Sequence, residues 1–250
     1  MKIDLKKHSS SVLLVPQNNC FVTNHINPDW FNKFYWQQQN ALMGQSKGRN
    51  ITWFIKNPND EIKSQCWVLR HYYRGGLMAK LVTDRFLFTG IKKTRCYKEV
   101  QLLQLMSDMG LPVPKPIAAM VSQKKMFYQA DLLMEKIEAK DLVAILSQSN
   151  LPISQWRAIG EVIANFHCHG IYHADLNAHN ILIDKLNKVW LIDFDRCKKI
   201  TIQQCWQKKN LQRLFRSFEK EQLLNKRFYF DHHVWRELEL GYQQRMEELK

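Results

Sequence analysis

His173-Ala174-Asp175-Leu176-Asn177-Ala178-His179-Asn180, followed a short way downstream by Asp193-Phe194-Asp195, is the stretch from which the rest of this chain can be read. Asn180 to Asp184 and Val189 to Ile192 read as two strands around a Lys185–Lys188 turn. The chain therefore leaves the polar loop at Asn180 and returns to it at Asp193, so that Asp175, Asn180 and Asp193 converge with no helix supplying them. Phosphoryl transfer calls for such a set. A carboxylate receives the proton of an acceptor hydroxyl held in line with the phosphate, and hard oxygen donors hold magnesium on the phosphate chain. Asp175 is the candidate base, and Asn180 and Asp193 are the candidate metal ligands. The bland alternative is a loop whose polar residues form Asx turns and caps.

Working outward, Ser154 can cap a helix that carries Trp156, Ile159, Ile163 and Phe166 on one face and closes at Gly170. Asp141 to Leu146 is a short helical signal before the polar turn Ser147 to Pro152. Further upstream, Met126 to Lys136 and Ile117 to Ser122 read as strands. Thr94 to Met109 has helical spacing at Tyr97, Val100, Leu103 and Met106, with Glu99 beside the stripe. Gly110 ends that helix, and Pro112, Pro114 and Pro116 prevent its continuation. Ile51 to Lys56 and Gln65 to Tyr73 form a hairpin signal around Asn57-Pro58-Asn59-Asp60. Thr201 to Lys250 reads as helical. Strands with one long helix among them, then helices with one embedded hairpin, predict an α+β fold. It would be a single two-lobed domain, with a small β-rich lobe over about residues 1–137, a larger helical lobe over about 138–250, and a cleft between.

The composition is that of a globular protein: 45% hydrophobic and 24% charged residues among 250. Lys and Arg number 37 against 23 acids, a net charge of +14, which attracts anions of any kind or merely solvates the surface. Cys20, Cys66, Cys96, Cys168, Cys197 and Cys205 form no C-x-x-C pair, which fits reduced thiols in a cytosolic setting. Charges at Lys2, Asp4, Lys6 and Lys7 precede no apolar segment of signal-peptide type, and no apolar run reaches membrane length. Any membrane contact is expected to be peripheral.

The spacing H-x-D-L-x-x-x-N followed by D-F-x resembles that of the protein-kinase-like superfamily, and more closely that of the bacterial lipopolysaccharide-core sugar kinases. The resemblance also rests on Trp67 to Leu77, on Gly110 to Pro116 with Ala118-Ala119, on Ala130-Asp131-Leu132 and on Asp193 to Arg196, and it spans about residues 44 to 197. It implies a kinase-like fold, ATP and Mg2+ as cofactors, and transfer to a hydroxyl of 3-deoxy-D-manno-octulosonic acid (Kdo), the 4-hydroxyl, on a Kdo-bearing lipid A precursor. It also implies a place at the cytoplasmic face of the bacterial inner membrane, with the anionic inner-membrane surface as a peripheral partner. By the same resemblance Asp175 is the base, Asn180 and Asp193 hold magnesium, and Glu99 braces a basic residue on the third strand of the lobe. That residue is either Arg70, favoured by its place in the strand, or Lys80, favoured by ordinary kinase spacing. The adenine is expected at the strand end Met134 to Ile137, where Glu135 and Ile137 would meet the base.

Three departures refine this expectation. Gly44 and Gly48 do not match a G-x-G-x-x-G loop. Asp195 stands where regulated protein kinases carry glycine, which adds a carboxylate near the metals and speaks against a switchable segment. No A-P-E follows Asp193. A small acceptor is therefore expected rather than a protein. A heptose kinase of the inner core, a protein kinase and a non-catalytic pseudokinase-like module remain as alternatives.

His167, Cys168, His169, His173 and His179 lack zinc spacing, and His173 is expected to prop the loop. Lys208, Lys209, Arg213, Arg216 and Lys220, interleaved with Leu211, Leu214, Phe215 and Phe218, form a basic amphipathic helix. It is either an ordinary lobe helix or a docking face for an anionic membrane. No nucleic-acid-binding signature accompanies the charge, so no nucleic-acid partner is expected.

Overall fold

A computed structural model describes residues 3–8, 10–17, 26–47, 51–56, 66–74 and 84–250. The chain forms two compact units, Met1–Leu105 with Pro114–Ile137, and Met106–Val113 with Glu138–Lys250.

The first unit is built on one antiparallel sheet. Its strands are β1 (Ile3–His8), β2 (Ser11–Pro16), β3 (Leu42–Lys47), β4 (Ile51–Lys56), β5 (Cys66–His71), β6 (Phe86–Leu87), β7 (Pro116–Lys124) and β8 (Phe127–Glu135). The order is β1-β2-β7-β8-β5-β4-β3, with β6 also paired to β8. The hairpin expected over 51–73 is β4–β5, with Thr52 opposite Arg70 and Lys56 opposite Cys66. The strands expected over 117–136 are β7 and β8, joined at Lys125 in the left-handed region. Gly44, considered for a phosphate loop, lies within β3 opposite Phe54, at a register shift; Gly48 lies outside the described residues.

The 3-10 turn Pro28–Phe31 and helix α1 (Lys33–Gln38) are capped by the side chains of Asn27 and Asn32. They deliver Trp30 and Trp36 to Trp67 of β5, with ring centroids 5.4 to 6.0 Å apart. The Trp36 indole N–H donates to the Trp30 carbonyl at 2.7 Å, whereas the buried indole N–H of Trp67 has no hydrogen-bond partner among the described residues. Helix α2 (Arg95–Asp108) buries Val100, Leu103 and Met106, as its spacing predicts, and Glu99 with them. Gly110 at φ 72° closes it, with N–H groups of Gly110 and Leu111 returning to Ser107 and Met106 at 2.9 and 3.0 Å.

The second unit is mostly helical: β9 (Ala139–Asp141), α3 (Leu142–Leu146), α4 (Ile153–Cys168), β10 (Ile171–Tyr172), β11 (Ile181–Asp184), β12 (Val189–Leu191), β13 (Lys198–Lys199), α5 (Gln204–Leu224) and α6 (His232–Glu248). Small sheets β12-β11-β9 and β10-β13 hold the loops. Helix α4 begins one residue before the expected cap. Pro152 is the N-cap, and its carbonyl accepts from Gln155 and Trp156 at 2.9 and 3.3 Å, which leaves Ser154 inside the first turn. Helix α4 packs on α6 through two glycines. A Cβ at Gly160 would lie 2.0 Å from the Leu238 carbonyl oxygen, and one at Gly241 would lie 2.3 Å from that of Arg157. Backbone-to-backbone approach of this kind has no flexible atom to yield, so glycine is required at both. The face of α5 that carries Trp206, Leu214 and Phe218 is buried, and Phe218 lies 5.6 Å from Trp156 and 4.7 Å from Phe230. The amphipathic tail helix is thus a core helix of its unit, with its basic residues left outside.

Candidate active site

The loop at residues 173–180 is fixed by its backbone partners. Gly170, at φ 72°, turns the chain out of α4, and β10 pairs with β13 to set the loop's entry. The Asp175 N–H donates to Nδ1 of His173 at 3.2 Å, so the ring proton sits on Nε2, which donates to the Ile192 carbonyl at 3.0 Å. One buried imidazole therefore ties Asp175 to the residue before Asp193, the propping role expected of it. Asn177 caps the 3-10 turn Ala178–Asn180 with its oxygen, while its amide nitrogen donates to the Asp175 carbonyl at 2.9 Å. The Asn180 amide nitrogen donates to the same carbonyl, also at 2.9 Å, which leaves the carboxamide oxygen as the group Asn180 offers to a ligand.

The β11–β12 hairpin then returns the chain. The Ile192 N–H donates to the Asn180 carbonyl at 3.0 Å, so Asp193 arrives beside Asn180. Asp193 has φ 61°, a backbone state that costs an L-residue about 1–3 kcal/mol and that clusters at functional sites. Phe194 anchors it, buried and stacked on Phe166 at 5.8 Å. Asp195 follows, half-buried, with a carboxylate oxygen 4.0 Å from Nε of Arg196. Hydrogen bonds of the loop thus tie Asp175 to Asn180 and both of them, through His173 and the Asn180 carbonyl, to Ile192, the residue before Asp193. Among the described residues, no group of three or more His, Cys, Asp or Glu side chains could hold a metal alone. That donor set still fits magnesium, which takes oxygen ligands and usually keeps only one or two from protein, with water and substrate phosphates supplying the rest.

Burial drives the His173 ring below its usual range, and the nearby carboxylates only partly offset this. His167, whose Nδ1 lies 2.9 Å from the Tyr242 hydroxyl, is pushed down to about 4 by the same desolvation. Between pH 6.5 and about 4 the unfolded chain takes up a proton at His167 and the folded chain does not, so stability falls with pH across that window. The loss at its lower end is on the order of 3 kcal/mol. Urea midpoints measured from pH 7 to 4 should decline less steeply in His167→Gln than in the parent chain. Equal slopes would place the acid sensitivity elsewhere.

In the first unit, successive residues of β5 alternate faces. His71 points one way, to Asp131 at 2.7 Å, while Arg70 and Tyr72 point the other, to Glu99. Arg70 Nη2 lies 2.5 Å from Glu99 Oε2, with side chains 8% and 2% exposed. The Tyr72 hydroxyl donates to the same oxygen at 2.6 Å, and the Arg70 guanidinium lies 4.9 Å from the Tyr72 ring centre. Burial, followed by the charge of Glu99, raises the Tyr72 phenol well above its usual range, so it is a donor and not an anion. Lys80 lies outside the described residues. At the strand end, the N–H groups of Glu135 and Lys136 are bonded to Lys115 and Cys66 carbonyls at 2.9 and 2.8 Å. The Glu135 carboxylate accepts from the Lys115 N–H at 3.2 Å. The Ile137 N–H has no hydrogen-bond partner among the described residues.

Several neighbours of the site are not apparent from the sequence motifs. Tyr72 follows Arg70 at the same-face spacing of a strand. Helix α5 runs along the catalytic loop. Asn210 receives the His173 N–H at 3.3 Å and donates to its carbonyl at 3.0 Å, and Ser217 Oγ receives the Ala178 N–H at 3.0 Å. Glu221 lies 3.2 Å from Nε2 of His179. Arg213 donates from Nε, at 3.2 Å, and from Nη2 to Oδ1 of Asp175 itself.

Known proteins resemble this chain in sequence over most of its length. The sequence profile of the lipopolysaccharide kinase (Kdo/WaaP) family matches residues 33–236. A Vibrio parahaemolyticus protein named 3-deoxy-D-manno-octulosonic acid kinase is 48% identical over 194 residues, 77% of this chain and 79% of its own. Proteins of the same name from Photobacterium profundum and Haemophilus influenzae (strain 86-028NP) are each 45% identical, over 214 and 222 residues. These cover 85% and 86% of this chain and 88% and 90% of their own lengths. With the profile running from α1 into α6 and relatives this similar over most of both chains, the protein belongs to the lipopolysaccharide kinase (Kdo/WaaP) family.

Proposed function

We propose that this kinase transfers the γ-phosphoryl group of ATP to the 4-hydroxyl of a Kdo residue on a Kdo-bearing lipid A precursor. The observation that carries the chemistry is the loop in which His173 ties Asp175 to Ile192 and Asn180 holds both Asp175 and Ile192 by hydrogen bonds. The identity of the sugar rests on relatives that are named for it.

On this reading the Asp175 carboxylate orients the acceptor hydroxyl and takes its proton as the new bond to phosphorus forms. Asn180 and Asp193, with Asp195 beside them, would hold magnesium, which when bound neutralises charge on the phosphates. In the first unit, Arg70, braced by Glu99 and Tyr72, contacts phosphate, and the strand end at Glu135 and Ile137 receives the adenine. We take the two compact units to be the lobes of one kinase-like domain. We place the protein at the cytoplasmic face of the inner membrane, held peripherally. No helix among the described residues is long and apolar enough to cross a membrane, and a net charge of +14 favours an anionic surface.

Labelled ATP offered with Kdo-bearing lipid A precursor, heptosylated core or a generic protein tests the assignment. Label is expected on the Kdo acceptor. Transfer to heptose or to protein in its place would overturn it.

A further inference from the structure

The pair between Arg213 and Asp175 has an unusual form. Two donors of the guanidinium, Nε and Nη2, fall on one carboxylate oxygen, Oδ1. A fork-to-fork pair would have engaged both oxygens. As it stands, Oδ2 of Asp175 is left for the acceptor hydroxyl. Nη1 of Arg213, which has no partner among the described residues, is left beside it. Neither side chain is buried, at 49% and 43% exposed, so the pair contributes little to stability and is open to a ligand. A neutral acceptor needs no guanidinium next to its reacting hydroxyl.

Arg213 does not stand alone. Lys209, Arg213, Arg216 and Lys220 recur at helical spacing along one exposed stripe of α5. The same helix is bonded to the catalytic loop by Asn210, Ser217 and Glu221. The stripe therefore runs alongside the base, and it suits an acceptor that carries several negative charges.

We propose that Arg213 is the specificity residue of the acceptor site: it holds Oδ1 of Asp175 and presents its remaining N–H groups to the carboxylate of an acidic sugar. This rests on the reading of the acceptor as Kdo. In that sugar the carboxylate stands on a ring carbon two positions from the one that bears the 4-hydroxyl. A hydroxyl at Oδ2 therefore brings the carboxylate close to the guanidinium.

The test compares the parent chain, Arg213→Gln and Arg213→Lys, all confirmed folded by thermal melting. Each is assayed on a Kdo-bearing lipid A precursor and on its analogue with that carboxylate converted to a primary amide. The parent chain is expected to lose about 10- to 100-fold in kcat/KM on the amide. Arg213→Gln is expected to treat the two acceptors alike, near the level of the parent on the amide, with KM for ATP within about twofold of the parent. Lysine, a point charge without the fork, should restore part of the discrimination. An Arg213→Gln variant that keeps the parent's preference for the acid would overturn the inference and leave Arg213 to orient the base. A rise in its KM for ATP would overturn it in favour of a phosphate contact. A parent chain that phosphorylates Kdo but does not distinguish acid from amide would refute this inference alone. A parent chain that phosphorylates neither would refute the Kdo reading itself.

Discussion

Asp175→Ala is expected to lower kcat by about 10²–10⁴-fold, the contribution of a positioned base, while ATP binding stays within about twofold of the parent. The expectation follows from where Asp175 is anchored. Its carbonyl is held by Asn177 and Asn180 at 2.9 Å each, and its N–H by His173 at 3.2 Å. All of these are backbone bonds that alanine retains. The substitution removes only the carboxylate, which in the proposed mechanism acts on the acceptor. It also releases Arg213, but that guanidinium is half exposed and regains water, so no buried charge is stranded. Single-turnover transfer with saturating acceptor reads the chemical step, and nucleotide titration reads binding. Near-normal turnover would remove Asp175 from the mechanism. A collapse of ATP binding in parallel with kcat would assign it to the nucleotide instead. Asp175→Asn sharpens the result: it preserves shape and a contact to Arg213 but cannot accept the proton, so it should be almost as slow as alanine.

Why that loop could be read and others could not is a matter of sequence distance. Asp175, Asn180 and Asp193 belong to one loop and the hairpin that leaves it, so the chemistry leaves its mark in local spacing. Arg213 bonds the same carboxylate from a helix that begins well downstream, and its local sequence states only that the helix is basic and amphipathic. Nothing in that pattern distinguishes Arg213 from Lys209 or Arg216. The same holds for the sheet. The strands over 51–56, 66–71 and 116–135 are long enough and apolar enough to be read from pattern. By contrast, β1 exposes most of its residues at a sheet edge, with Lys6 and Lys7 among them, as edge strands do to discourage pairing with other chains. Trp30 and Trp36 lie on a 3-10 turn and a six-residue helix, elements too short to show a period. Ser154 misleads because the carbonyl of Pro152 already begins the helix.

The second large effect is expected at Arg70. Glu99 is 3% exposed, and its Oε2 is shared by Arg70 and Tyr72. Arg70→Ala strands that carboxylate with a phenol alone, and breaking a buried pair on one side costs about 3–5 kcal/mol. If Arg70 is the phosphate contact, its removal costs a further 10²–10³-fold or so in turnover by analogy with the loss of one preorganised donor. The two losses are separable, because stability is read by urea unfolding and turnover at a temperature where the variant is folded. Glu99→Gln offers the complementary measurement: it removes the charge that braces Arg70 while keeping a hydrogen-bonding group of the same shape, so it should be milder in both respects. Arg70→Lys should recover part of the turnover, since an ammonium reaches phosphate as a point charge, and little of the stability that the fork provides. The comparison that decides the role is Lys80→Ala. If Arg70 is the phosphate contact, Lys80→Ala leaves turnover near the parent value. If Lys80→Ala instead abolishes turnover while Arg70→Ala lowers only stability, then Arg70 is a brace for α2 through Glu99, and the phosphate contact belongs to Lys80.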